Sequence, residues 1–240
     1  MKIENIPVVI LAGGKGKRLS GIVSDKPKVM CDVRGKPFLS YILYWLKNYG
    51  IINIFLSVGF MQHEIISYYQ SGETFGLKIR YLKEGSPLGT GGAVAKALKE
   101  IESEMILFLN GDTFLDIDLD SFISDHYERM PYMTIVCIKK KKPDRYGSLV
   151  FNNEKRIISF MEKDSADIEW INGGMYLITN IPSDLQFDRT PISFEKELIP
   201  KMVKNVIVNA FPQDNVQFID IGTPCSLVEA QTYMKGYKAI

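Results

Sequence analysis

Leu11-Ala12-Gly13-Gly14-Lys15-Gly16-Lys17-Arg18-Leu19 is the stretch on which the reading of this chain turns. It follows directly on residues 6–11, a short, β-branched, nearly continuous apolar run of the kind that forms a buried parallel strand. Glycine at 13, 14 and 16 lets the backbone approach a ligand closely and reach positive φ. Consecutive amides in such a loop converge on a phosphate, and Lys15, Lys17 and Arg18 add charge. The stretch reads as a polyphosphate cradle; the competing reading is a plain glycine turn with exposed cations. Two familiar phosphate loops do not fit. A dinucleotide loop needs GxGxxG, and Leu19 stands where its third glycine belongs; no register supplies GxxxxGK[ST].

Working outward, residues 52–58 and 105–109 are further apolar runs of strand length. Between the runs Phe38, Leu39, Ile42, Leu43, Trp45 and Leu46 recur at helical spacing, and Gly50 closes that helix. A second helix is expected over residues 93–101, opened by Gly89, Gly91 and Gly92. Residues 78–82 alternate in polarity and read as a strand nearer an edge. Strands alternating with helices imply a parallel sheet with right-handed crossovers, whose ligands bind beyond the carboxyl ends of the strands. Two such ends carry chemically loaded loops, residues 12–19 and 110–113. The second half changes rhythm: residues 133–138, 148–151, 156–161 and 174–178 read as short strands, an antiparallel addition to the same sheet within one domain, 1–240. A final helix is expected over residues 224–235, with Thr223 as cap and Pro224 in its first position.

Composition narrows the function. The 29 basic and 28 acidic residues are scattered, leaving a net charge of +1 and no footprint of a nucleic-acid binder. The densest basic run, residues 139–142, reads as a solvated strand end. Cys31, Cys137 and Cys225 lie far apart beside only His63 and His126, so a zinc site is not expected. Sparse thiols suit a reducing cytoplasm, and the apolar run near the N-terminus is too short for a signal-peptide core or a membrane span. The expectation is a cytoplasmic protein bound to neither nucleic acid nor membrane, with homo-oligomerisation left open.

Further candidates lie downstream. In Asp25-Lys26-Pro27-Lys28 the proline stiffens the segment, so Lys28 can be held pointing at a phosphate; in isolation the same tripeptide is a surface loop. Asp112 follows Gly111 at the end of an apolar strand, where a metal ligand or a turn aspartate belongs. Asp220 is a charge inside Phe218-Ile219-Asp220-Ile221-Gly222; buried it needs a cation partner, while on a solvent-facing strand it does not. Asp116, Asp118 and Asp120 form a DxDxD that reads as a strand end or turn followed by a helix cap at Asp120. His126 reads as ordinary surface or packing, and Trp170 and Tyr146 are aromatic residues of open role.

Together these residues resemble the nucleotidyltransferase family that activates sugar 1-phosphates. Its GGxGxRL signature and PK pair are matched by residues 13–19 and by Pro27 with Lys28. The likeness continues through Leu88-Gly89-Thr90-Gly91-Gly92-Ala93, Asn110-Gly111-Asp112-Thr113, Glu162-Lys163, Asn172-Gly173-Gly174 and Asp220-Ile221-Gly222-Thr223-Pro224, in order along essentially the whole chain. The resemblance implies a Rossmann-like three-layer α/β/α sandwich with a mixed, mainly parallel sheet. It also implies roles. Leu11, Ala12, Gly13, Gly14, Lys15 and Gly16 would hold the triphosphate, with Arg18 on the phosphates. Lys28 would bridge the α-phosphate and the sugar phosphate. Gly89 and Thr90 would lie at the nucleobase, and Asp112 and Asp220 would hold Mg²⁺. Lys163 would bind the sugar phosphate, while Glu162 and Asn172, beside Gly173, would read sugar hydroxyls.

The short D-glycero-α-D-manno-heptose 1-phosphate guanylyltransferases look similar through NGDT, EK and INGG, which implies GTP and a heptose phosphate in the supply of surface polysaccharide. Mannose-1-phosphate guanylyltransferases are the alternative; many carry a left-handed β-helix after the catalytic domain, which is not expected in a sequence that stops at Ile240. Glu84, just before the turn leading to Gly89, can accept from both guanine N1–H and its exocyclic amine.

The chemistry agrees with the residues. A sugar phosphate oxygen attacks the α-phosphorus in line; this nucleophile is already anionic near neutral pH, so no general base is needed. Two polyanions must meet, so positioned cations and a metal are required, and two carboxylates with phosphate and water oxygens suit Mg²⁺. Rival readings are a glycosyltransferase using Asp116 and Asp118 as a DxD, and a catalytically dead nucleotide-sugar sensor, which should have lost Arg18, Lys28 or a metal aspartate. An NAD-dependent oxidoreductase fails on its glycine fingerprint.

Overall fold

In the computed structural model the apolar run after Pro7 forms strand β1 (Val8–Leu11), with its first three residues buried. The structure describes residues 3–14, 26–141, 148–161, 168–179 and 190–240. The chain divides into two units, residues 1–87, 109–116 and 218–240 in the first and residues 88–108 and 117–217 in the second.

In the first unit β1 pairs in parallel with β4 (Asn53–Val58), from Val8↔Ile54 to Leu11↔Ser57. β4 pairs in parallel with β5 (Lys78–Lys83), the terminal strand on this side, as its alternating pattern led one to expect. The crossovers carry α1 (Phe38–Asn48) and α2 (Gln62–Tyr69). The residues at helical spacing in α1, Phe38, Leu39, Ile42, Leu43, Trp45 and Leu46, are all buried, and Gly50 ends the segment at φ +76°. Before α1, β2 (Asp32–Val33) and β3 (Lys36–Pro37) make a two-residue hairpin in which Arg34 and Gly35 both have positive φ, the backbone such turns require. The last helix, α6 (Pro224–Tyr233), starts in a reciprocal cap between Thr223 and Ser226, with proline at its first position.

The second unit holds the mixed part of the sheet. β6 (Met105–Asn110) begins here and its last two residues belong to the first unit. β11 (Ile168–Thr179) pairs antiparallel with both β8 (Met133–Lys141) and β9 (Ser148–Phe151), and β9 pairs antiparallel with β10 (Ile157–Met161). The addition is not wholly antiparallel, however. β12 (Val208–Gln213) runs parallel to β8, because α5 (Ile199–Asn205) carries the chain back before it enters the sheet. With the small sheets β2–β3 and β13 (Gln217–Asp220) with β7 (Thr113–Asp116), this is the Rossmann-like α/β class expected.

Two local expectations change. Helix α3 (Gly89–Glu100) starts at the glycines instead of after them; a side chain at Gly91 would stand 2.7 Å from Leu198 Cδ1, so small residues let this first turn pack closely. The cap of α4 (Leu119–Arg129) is Asp118, not Asp120: its carboxylate accepts from Ser121 N at 3.2 Å and Oγ at 2.6 Å. Asp116 accepts from Trp45 Nε1 at 3.0 Å and Tyr237 Oη at 2.9 Å, and so ties the C-terminal segment to α1. His126 is buried in packing, each ring nitrogen bonded to a hydroxyl, Thr134 Oγ1 at 2.7 Å and Thr179 Oγ1 at 2.6 Å. Burial pushes its pKa down to about 4, with the Asp125 carboxylate acting in the opposite direction. Among the described residues no helix is long and apolar enough to cross a membrane.

Candidate active site

The carboxyl ends of β1 and β6 meet in the first unit, and the backbone there explains two glycines. Gly111 N donates to Leu11 O at 3.0 Å, and a Cβ at 111 would lie 2.8 Å from that same oxygen, so only glycine lets the ends approach. Ala12 N donates to Ser57 O at 2.8 Å, while Gly13 O accepts from Phe60 N at 3.3 Å, which anchors the start of the glycine loop on β4. A Cβ at Gly14 would meet nothing within 4 Å. Lys15, Gly16, Lys17, Arg18 and Leu19 lie outside the described residues.

Lys28 opens a short 3₁₀ turn, Lys28–Met30, after buried Pro27. Its ammonium group forms an ion pair with Asp112 Oδ2, and its side chain is only 13% exposed. The other oxygen of Asp112 accepts from Thr113 Oγ1 at 3.3 Å. Asp220 is brought to the same corner by the backbone, because Ile221 N donates to Asp112 O at 3.0 Å. Asp220 Oδ1 in turn accepts from Gly222 N at 2.8 Å. A Cβ built at Gly222 would stand 2.6 Å from Asp220 Oδ1 and 3.3 Å from Lys28 Nζ, so both groups border the space that glycine leaves. One ammonium group and two carboxylates, separated by up to 192 positions in sequence, thus share one corner.

Glu84 enters this unit's site from the end of β5. Its backbone N–H donates to Val58 O at 2.9 Å. Its carboxylate sits against two glycines: a Cβ at Gly13 would be 2.7 Å from Oε1, and one at Gly59 would be 3.1 Å from Oε2. Glu84 therefore borders the glycine loop itself, and Gly59, which sequence reading passed over, is small for the same reason.

The second unit holds the other candidates. Gly89 has φ +72°, and Ile192 N would lie 2.9 Å from a Cβ there, so backbone packing already demands glycine at 89. Thr90 Oγ1 accepts from Phe194 N at 2.9 Å. Asn172 is buried on β11 where the register against β8 shifts, followed by Gly173 and by Gly174 at φ +74°. Its side chain bonds Tyr176 and Glu195, two residues with no motif to announce them. Trp170 packs its ring on Phe151 and under Lys139 Nζ, which also pairs with Asp214 at the surface. Glu162, Lys163 and Tyr146 lie outside the described residues.

Comparison with known proteins gives the family to which these residues belong. The model of a family described as nucleotidyl transferase matches residues 7–236. The chain belongs to this family. It is 35% identical over 229 residues to a D-glycero-α-D-manno-heptose 1-phosphate guanylyltransferase of Aneurinibacillus thermoaerophilus, covering 95% of this chain and 98% of the relative. An enzyme of the same description from Campylobacter jejuni is 39% identical over 220 residues, covering 90% and 94%. Among solved structures, HddC from Yersinia pseudotuberculosis complexed with GMP-PN aligns with a TM-score of 0.83 at 32% identity, over 96% of this chain and 100% of that one. The charged side chains placed in the described part of this site are Lys28, Asp112, Asp220 and Glu84, and no cluster of three or more metal-ligating side chains occurs among the described residues.

Proposed function

We propose that this protein transfers a guanylyl group from GTP to D-glycero-α-D-manno-heptose 1-phosphate, giving the GDP-sugar and pyrophosphate. The observation that carries the chemistry is the corner of Lys28, Asp112 and Asp220 at the ends of the sheet strands. In the transfer a phosphate oxygen of the sugar 1-phosphate forms a bond to the α-phosphorus of GTP. The bond from that phosphorus to the bridging oxygen breaks, and pyrophosphate leaves with the electron pair. The attacking oxygen is already anionic, so the protein's work is to bring two polyanions together and offset the charge that develops. Lys28 is a preorganised cation for this purpose, held by Pro27 on one side and Asp112 on the other. The glycine loop, with Arg18, is assigned to the triphosphate.

The corner also fits Mg²⁺. Asp112 and Asp220 present hard oxygen donors beside one ammonium group, a concentration of negative charge that suits a hard cation needing one or two carboxylates with phosphate and water oxygens. When bound, the ion would neutralise phosphate charge and polarise the reacting phosphoryl group. Guanine and heptose are supported by the guanylyltransferase relatives, and Glu84, against Gly13, is the carboxylate assigned to read the base. Glu162, Lys163 and Asn172 are assigned to the sugar 1-phosphate. The test is pyrophosphate release from ATP, GTP, CTP and UTP, each with mannose, glucose and heptose 1-phosphates. Turnover should be greatest with GTP and the heptose phosphate. No release with any pair would end the proposal, and preference for another pair would keep the reaction while replacing the substrate.

A further inference from the structure

The side chains around Asn172 identify a residue that no motif marks. An asparagine amide offers an acceptor at one end and donors at the other, and its surroundings decide which end faces a ligand. Asn172 Nδ2 donates to Tyr176 Oη at 2.7 Å and to Glu195 Oε1 at 3.3 Å. Tyr176 Oη donates to the same Glu195 oxygen at 3.3 Å. On the other end, Asn172 Oδ1 accepts from Gly174 N at 2.9 Å. A carboxylate only accepts, so the NH₂ end must turn toward Glu195 and the carbonyl end toward Gly174. Both amide hydrogens are then committed, while Oδ1 has a second lone pair for a ligand hydroxyl.

Glu195 is itself held firmly. It lies in a π-helical turn, Phe194–Leu198, whose cap residue Ser193 accepts from Lys196 N. Ser193 N donates to Glu197 Oε1 at 3.1 Å, Phe194 N donates to Thr90 Oγ1, and the Phe194 ring meets the Tyr176 ring edge-on at 4.9 Å between centroids. Such turns are rare and frequently lie at functional sites. Glu195 is half-buried, so its carboxylate is shielded enough for the bonds to hold their direction.

We propose that Glu195 is a positioning residue for sugar selection: it holds Asn172 with its carbonyl oxygen as the ligand-facing group, so the site favours a sugar 1-phosphate with a hydroxyl able to donate there. This rests on the assignment of Asn172 to the sugar, and the experiment separates the two. The readout is kcat/KM for a panel of sugar 1-phosphates differing in one hydroxyl, epimerised or removed, alongside KM for GTP and thermal unfolding. Glu195→Ala should lower kcat/KM for the preferred sugar about tenfold, the scale of one hydrogen bond, and narrow its lead over the deoxy sugar. GTP KM should stay unchanged. Glu195→Gln should recover most of the loss, since its carbonyl still accepts.

Asn172→Asp sets acceptor against acceptor and should be the worst single variant. Adding Glu195→Gln restores a donor opposite the new carboxylate and should rescue both rate and ranking. A purely structural contact would move unfolding temperature in these variants and leave the ranking of sugars alone. If Asn172→Ala changes the ranking but Glu195→Ala and the paired exchange do not, the positioning role is wrong and the assignment of Asn172 stands. If Asn172→Ala leaves the ranking unchanged, Asn172 is not at the sugar, and both fall.

Discussion

Replacing Lys28 by methionine keeps the length and apolar stem of the side chain and deletes its charge. In the structure that charge is 13% exposed and paired with Asp112, whose side chain is 31% exposed. After the substitution Asp112 keeps its bond from Thr113 and its access to water, so the cost to folding should be about 1 kcal/mol or less. For a chain of this size that is a fall of about 2–4 °C in Tm. The cost to the reaction should be larger. Loss of one preorganised electrostatic group lowers kcat by about 10²–10³-fold, or about 3–4 kcal/mol of transition-state stabilisation. The matched control is Lys26→Met, two positions away and exposed, which should change kcat little. The assay is pyrophosphate release with both substrates saturating, next to thermal unfolding of the same preparations. Equal losses in the two variants would reduce the lysine pair to a general field. A fall in kcat that follows the loss of folded protein would make Lys28 a structural residue, and the reasoning would fail.

The remaining predictions concern the same corner, the base and the fold. Asp112→Asn and Asp220→Asn should each depress turnover far more than Tm, and chelation of divalent ions should abolish activity that Mg²⁺ restores; a variant with full kcat at saturating Mg²⁺ would take its residue out of the metal site. Glu84→Gln should shrink the ratio of kcat/KM for GTP to that for ATP, because a carboxylate accepts two guanine donors and an amide does not; an unchanged ratio would leave Glu84 as a packing partner of Gly13 and Gly59. His126 gives a pH signature of stability. Its folded pKa of about 4 lies below the unfolded value of 6.5, so the unfolded chain takes up the proton first. The stabilisation is complete above pH 6.5 and is lost as pH falls toward 4, a loss on the order of 3 kcal/mol. In His126→Gln, denaturant titrations should show a flatter dependence of stability on pH across that window, and an identical slope would refute the assignment.

Much of this was written locally in the chain. Alternation and apolar runs placed β1, β4 and β5, because strand periodicity is a property of neighbouring residues. The helical spacing of α1 and its glycine stop, and the Thr223–Pro224 start of α6, are equally local. The glycine loop, Lys28 and the two aspartates stood out as candidates because each sits beside a strand end or inside an apolar run where its type is out of place. Less was legible where packing overrides pattern. The glycines expected to precede α3 lie inside it, since their missing side chains let the helix approach Ile192 and Leu198. β12 joins β8 in parallel, which no spacing between short strands distinguishes from a further antiparallel turn.

Which residues share a site was decided by tertiary structure. Lys28 and Asp112 are 84 positions apart, and only the meeting of the β1 and β6 ends, through Gly111, pairs them. Gly222 reads in sequence as one more turn glycine, yet in the fold it leaves the space that Asp220 and Lys28 border. Glu195 stands in a stretch without a motif, and its importance comes from Asn172 and Tyr176, 23 and 19 positions earlier on another element. Sequence by itself determined most element types, the candidate glycine loop and the family of the chemistry, because backbone preference and motif spacing act between near neighbours. The pairings that hold charges and orient amides depend on which strand ends and turns are brought within about 3 Å of each other, a distance over which hydrogen bonds act and chain separation has no influence.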